Sequence, residues 1–152
     1  MDRSTATRLT IARLLLVAGL LIGLPSWWET VTHIGNPQYM LPATFPEGTT
    51  HAWYHALREA SSDVTKMGVF LIVFFGPAWL RTQAIWWGLL ILMIGYYAPF
   101  WIGEPFLAAL SAPSALANAI HVAMALLAFA GLVTAWPAFA RDQAAVLGSE
   151  RA

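Results

Sequence analysis

Four apolar stretches divide this chain: Leu9 to Trp28, Val64 to Leu80, Gln83 to Gly103 and Leu116 to Ala138. Each is close to the roughly 20 residues that carry a helix across a hydrocarbon layer. Inside such a layer only helices and closed barrels satisfy their own backbone groups. The runs are continuous rather than alternating, so the predicted fold is all-α: a four-helix transmembrane bundle. Composition agrees, with 59% hydrophobic and 11% charged residues, against about 25% charged in an ordinary soluble domain. Eight tryptophans suit a chain that meets two membrane–water interfaces. A chain of 152 residues has room for one domain. Zero net charge without a basic tail argues against nucleic acid. The absence of cysteine excludes disulfides, thiolate metal sites and cysteine nucleophiles.

Basic residues set the orientation. Arg3, Arg8 and Arg13 precede or enter the first span, Arg81 lies in the turn between spans two and three, and Arg141 and Arg151 follow the fourth. The other side carries Glu29, Glu47 and Glu104. The excess of arginine on one side predicts both termini in the cytoplasm and the chain in a bacterial inner membrane. Gly23 to Trp28 offers no small-x-small cleavage site, so the first span reads as a membrane helix rather than a signal peptide.

Depth counts then place the four histidines. Counting about 20 residues outward from Arg13, Arg81, Gln83 and Arg141 reaches His33, Ser61 to Ser62, Gly103 to Glu104, and His121. All four histidines, His33, His51, His55 and His121, therefore belong near the outer interface. Imidazole is the commonest metal ligand and titrates near neutral pH. His51, His55 and Glu59 are spaced four apart and share one helix face, which Asp63 and Lys66 continue inward. A polar stripe running into a membrane is costly unless its members pair or line a wet cavity. Asp63 and Lys66 can equally be an ion pair that neutralises two charges. Position 52 is alanine, so the His-Glu-x-x-His pattern of zinc proteases is absent. Tyr96 and Tyr97 belong to an aromatic belt, or supply a phenol to a site. Asn118, three residues before His121, is placed to orient its ring. The 29–50 segment holds three prolines and two glycines. It reads as a structured outer loop between helices 1 and 2, closing the bundle as a lid or as a passive connector.

Two resemblances follow from these residues. Thr32-His33-Ile34-Gly35-Asn36-Pro37 followed by His51-Ala52-Trp53-Tyr54-His55 resembles a family of small four-helix bacterial membrane proteins. Those proteins carry a Thr-His-x-x-Asn-Pro loop and a His-Ala-x-aromatic-His helix start, and their biochemistry is not established. More weakly, Pro46-Glu47-Gly48 ahead of His51 and His55 is similar to the styrene oxide isomerases. In those short membrane enzymes such a turn precedes a haem-ligating histidine, and the haem acts as a Lewis acid.

The combined expectation is a membrane enzyme acting on a lipophilic small molecule at the outer interface, by isomerase- or oxidoreductase-type chemistry. In one version His33, His51, His55 and His121 hold a divalent transition metal, or His55 and His121 hold haem. In the other, Glu59, Asp63 and Tyr97 supply acid–base groups. The rival reading is non-enzymatic: an assembly factor or a lipid or quinone binder. Gly19, Gly23, Gly68, Gly76, Gly88, Gly95 and Gly131 allow close helix approach, and self-association is compatible with them.

Overall fold

The computed structural model describes residues 2–102 and 112–140; Gly103, Glu104, Arg141 and Arg151 lie outside them. The described residues are helical, with no strand among them. Helix α1 spans Arg3–Thr32, α2 His51–Phe75, α3 Gln83–Tyr97, the single turn α4 Pro99–Ile102, and α5 Ala115–Phe139. Three segments are long and apolar enough to cross a membrane: α1, the Gln83–Ile102 stretch that joins α3 to α4, and α5. Helix α2 is also long enough at 25 residues, but Arg58, Glu59, Asp63 and Lys66 interrupt it.

Helix boundaries follow local chemistry. The Asp2 carboxylate accepts from the Thr5 N–H at 2.8 Å and starts α1. The Thr82 hydroxyl oxygen accepts from Ile85 N–H at 3.3 Å, and that of Ser114 from Ala117 N–H at 3.1 Å. These satisfy N–H groups that a helix start leaves without intrahelical partners. Thr50 occupies the cap position of α2, but its side chain makes no capping bond. The first span was expected to end near Trp28, yet α1 continues through Pro25 to Thr32. The second was expected to reach Leu80. Instead α2 stops at Phe75, and Ala78–Leu80 forms a separate 3-10 turn. Proline at 77 has no N–H to extend the helix. The carbonyls left at this end are taken by arginines: Arg13 Nε donates to Phe74 O at 2.8 Å, and Arg81 Nη1 to Gly76 O at 2.7 Å.

The bundle is built around the antiparallel pair α1–α5. Gly19 lies against Ala128, Gly23 against Met124, and Gly131 against Leu16. Each step forward on α1 is thus answered by an equal step backward on α5. A Cβ on Gly19 would sit 3.0 Å from Met124 O, and one on Gly131 3.0 Å from Ala12 O. Backbone meets backbone here because the side chains are missing, the usual way helices associate where no hydrophobic force separates protein from lipid. Helix α3 packs on the other flank of α5. Trp86, buried, donates Nε1–H to Leu132 O at 2.9 Å, and its ring lies edge-on to Trp136 with centroids 4.8 Å apart. Helix α2 meets α1 through Arg13 at one end and Trp27 at the other, where Nε1–H donates to Ala60 O at 3.0 Å. All neighbouring long helices therefore run antiparallel. Outward-facing residues such as Leu14, Leu21, Ile72, Ile91, Leu126 and Val133 are large and apolar, the surface a lipid environment requires.

Candidate functional site

The site lies at the end of the bundle opposite Arg13 and Arg81. Its position follows from the buried stripe of α5: His121, Met124, Ala125, Ala128, Gly131, Leu132, Ala135 and Phe139. Spacings of three and four put these on one face, so His121 is carried into the interior by the same register that buries the core. Only 8% of it is exposed. On α1 the buried stripe Ala12, Leu16, Gly19, Gly23 leads to Ser26. Ser26 Oγ lies 3.0 Å from His121 Nε2. Asn118, expected to orient the ring, is exposed instead, and Ser26 takes that place. The face of His121 is covered by Phe100 of α4, stacked with centroids 3.9 Å apart and planes 16° from parallel. His121 Nδ1 is buried and has no hydrogen-bond partner among the described residues.

A polar and aromatic strip runs from this histidine across to α2. Phe100 meets Tyr96 edge-on at 6.3 Å, and the Lys66 ammonium lies over the Tyr96 ring, 4.9 Å from its centroid. Lys66 in turn donates to Asp63 Oδ1 at 3.0 Å. Asp63 and Tyr97 are both buried, at 7% and 1% exposure. Tyr97 packs against Phe129 of α5 with ring centroids 5.8 Å apart. Of the acid–base residues expected from sequence, Asp63 and Tyr97 thus face the interior, whereas Glu59 is exposed.

The other histidines occupy separate surroundings. His51 and His55 form a pair across one helical turn, Nε2 to Nε2 at 2.9 Å, one ring donating to the other. Tyr54 and Phe45 flank them, 5.5 Å from His55 and 6.1 Å from His51 between ring centroids. His33 stacks on Tyr39 at 3.8 Å, with Glu29 Oε1 at 3.9 Å from its Nε2. Ala60 is level with Trp27, next to Ser26 and hence to His121. His55, five residues before Ala60, therefore lies about 7.5 Å further out along the bundle axis. The histidines share one end of the molecule but not one point.

The single centre expected from His33, His51, His55 and His121 is not gathered among the described residues. Among the described residues no three histidine, aspartate or glutamate side chains converge to hold a metal ion. The haem pairing of His55 with His121 is separated by that axial offset, and each Nε2 already faces another protein group. As placed, the described donors form no group of three around one point. What converges on two nitrogens is the exposed pair His51–His55.

The loop between α1 and α2 is tied down at several points. Asn36 Oδ1 accepts from Gln38 N–H at 3.0 Å, and Trp53 Nε1–H donates to Asn36 O at 2.9 Å. Leu41 N–H donates to Thr49 O at 2.9 Å. Gly35 and Gly48 turn the chain at φ 78° and 91°, values that glycine adopts without the steric cost of a Cβ. The sequence matches no family model, curated protein or solved structure.

Proposed function

We propose that this chain is a small integral membrane protein that takes up a lipophilic molecule at the histidine end of its bundle. There it acts on the molecule by acid–base chemistry around His121, with Asp63 and Tyr97 about a turn deeper. In this reading all four long helices are embedded, with the first turns of α2, from His51 to about Glu59, standing outside the membrane. The arginine end then faces the cytoplasm of a bacterial inner membrane. The observation that carries the reading is His121: buried, held by Ser26, covered by Phe100, with one ring nitrogen unmatched among the described residues. A buried polar atom without a partner costs on the order of 1–3 kcal/mol. A bound polar group removes that cost, and an apolar body suits the tyrosines and tryptophans beside it. Ionisable residues within membrane helices ordinarily mark a pathway or a site.

One observation favours binding without chemistry. The Asp63 carboxylate is already held by Lys66, which occupies as a base the most buried acid among the described residues. The test is to purify the protein in nanodiscs, extract it with organic solvent and identify the small molecules by mass spectrometry. A stoichiometric lipophile present in the wild type and missing from His121→Phe supports the proposal. Identical extracts from both, containing only bulk lipid, overturn it. Conversion of the recovered lipophile by the wild type but not by Asp63→Asn separates an enzyme from a binder.

A further inference from the structure

The hydrogen-bond arithmetic at His121 selects the chemistry of what binds there; this inference rests on the proposed lipophile site. Threonines on these helices donate their hydroxyls to the carbonyl four residues earlier, as Thr7, Thr10 and Thr65 do at 3.0 Å. Ser26 makes no such bond among the described residues; its hydroxyl is engaged with His121 Nε2 alone. Ser26 is half-buried against His121, and a hydroxyl proton shielded from water without an acceptor carries a desolvation cost. Donation from Ser26 Oγ to Nε2 removes it. A neutral imidazole that accepts at one nitrogen carries its proton on the other, so Nδ1 is an N–H group. That N–H is buried and has no partner among the described residues. Phe100 is stacked on one ring face, so an acceptor for Nδ1 has to lie in the ring plane, the direction a hydrogen bond requires.

We propose that His121 Nδ1–H binds an acceptor-only oxygen, a carbonyl or ether, on a lipophilic ligand lodged against Phe100. Such a ligand has an apolar body for the aromatic strip and one lone-pair head for the Nδ1–H donor. A ligand whose head only donates has no partner here.

Three probes on one carbon frame test this in nanodiscs: undecane, 2-undecanone and 2-undecanol. Binding is read by tryptophan fluorescence, and the His121 tautomer by ¹⁵N chemical shift. The ketone is expected to bind the wild type at least ~10-fold more tightly than the alkane, an advantage of about 1.4 kcal/mol. The advantage should vanish in His121→Phe and persist in His51→Gln. The ¹⁵N spectrum should show the proton on Nδ1. A ketone no better than the alkane, with the alcohol bound more tightly, makes Nδ1 the acceptor and overturns the inference while the lipophile site stands. Saturable binding of none of the three overturns both.

Discussion

Each imidazole at the histidine end is governed by its immediate company, and that decides what a metal ion would find. Two nitrogens on one tetrahedral zinc lie roughly 3.3 Å apart at ordinary zinc–nitrogen distances. His51 and His55 are 2.9 Å apart on an accessible turn, within a small rotamer adjustment of that geometry. Added Zn²⁺ or Ni²⁺ is therefore expected to bind weakly and depend on both: His51→Gln or His55→Gln each abolishes the calorimetric signal, and His121→Phe leaves it intact. Loss of binding in His121→Phe would restore the shared centre. The Asp63–Lys66 pair makes a different prediction. Replacing one member strands a charge among apolar neighbours, a loss of about 3 kcal/mol or more, whereas replacing both with apolar residues removes the desolvation cost together with the attraction. In thermal unfolding, Asp63→Leu alone should fall well below Asp63→Leu/Lys66→Leu; equal losses would deny the pairing. The stripe that holds this pair was legible from its spacing. Ser26 was not, because a lone serine beside Pro25 carries no chemical signature. Only continuing the α1 stripe through Gly19 and Gly23 brings it to His121.

Between helices, the governing contact is backbone against backbone. Gly131→Leu places a branched side chain where a Cβ alone would meet Ala12 O at 3.0 Å. Gly19→Ala meets Met124 O at the same distance. Neither obstacle is a flexible side chain, so α1 and α5 must separate. Overpacking of this kind costs typically about 1–3 kcal/mol. Gly68→Ala and Gly88→Ala, which meet nothing, serve as controls and should keep or raise the melting temperature, since alanine is the better helix former. Equal effects at all four positions would mean the α1–α5 contact is not the one that holds the bundle. At this scale the sequence was a good guide to where helices lie and a poor one to where they end. Apolar length marked α1, α3 and α5. It missed the stop at Phe75, because hydropathy continues through Trp79 and Leu80 while Gly76, Pro77 and two arginine-bound carbonyls end the helix. It also ended α1 too early, since Pro25 and Glu29 look like exit signals, although a helix continues past a proline where packing holds it.

The whole molecule has two unlike ends. One is closed by Arg13 and Arg81, each bonded to a carbonyl at the foot of α2; the other carries His33, His51, His55, His121 and the tied loop. Placed in a membrane with the arginines inward, the bundle offers its histidine end to the outer leaflet. A reporter fused after Ala152 should then be active only in the cytoplasm, and a tag in the 36–46 loop should be reachable from outside. The reverse pattern would move the proposed site to the cytoplasmic leaflet. The central claim is narrower and concerns location: a lipophile sits beside His121 within the bundle and not merely on its lipid-facing surface. Photolabelling with a long-chain ketone that carries a diazirine next to the carbonyl, followed by peptide mapping, tests it directly. Adducts concentrated at 96–101 and 118–125, suppressed in His121→Phe, are the predicted result. Labelling spread over outward residues such as Leu126, Val133 and Ile91, unchanged by that substitution, would contradict it.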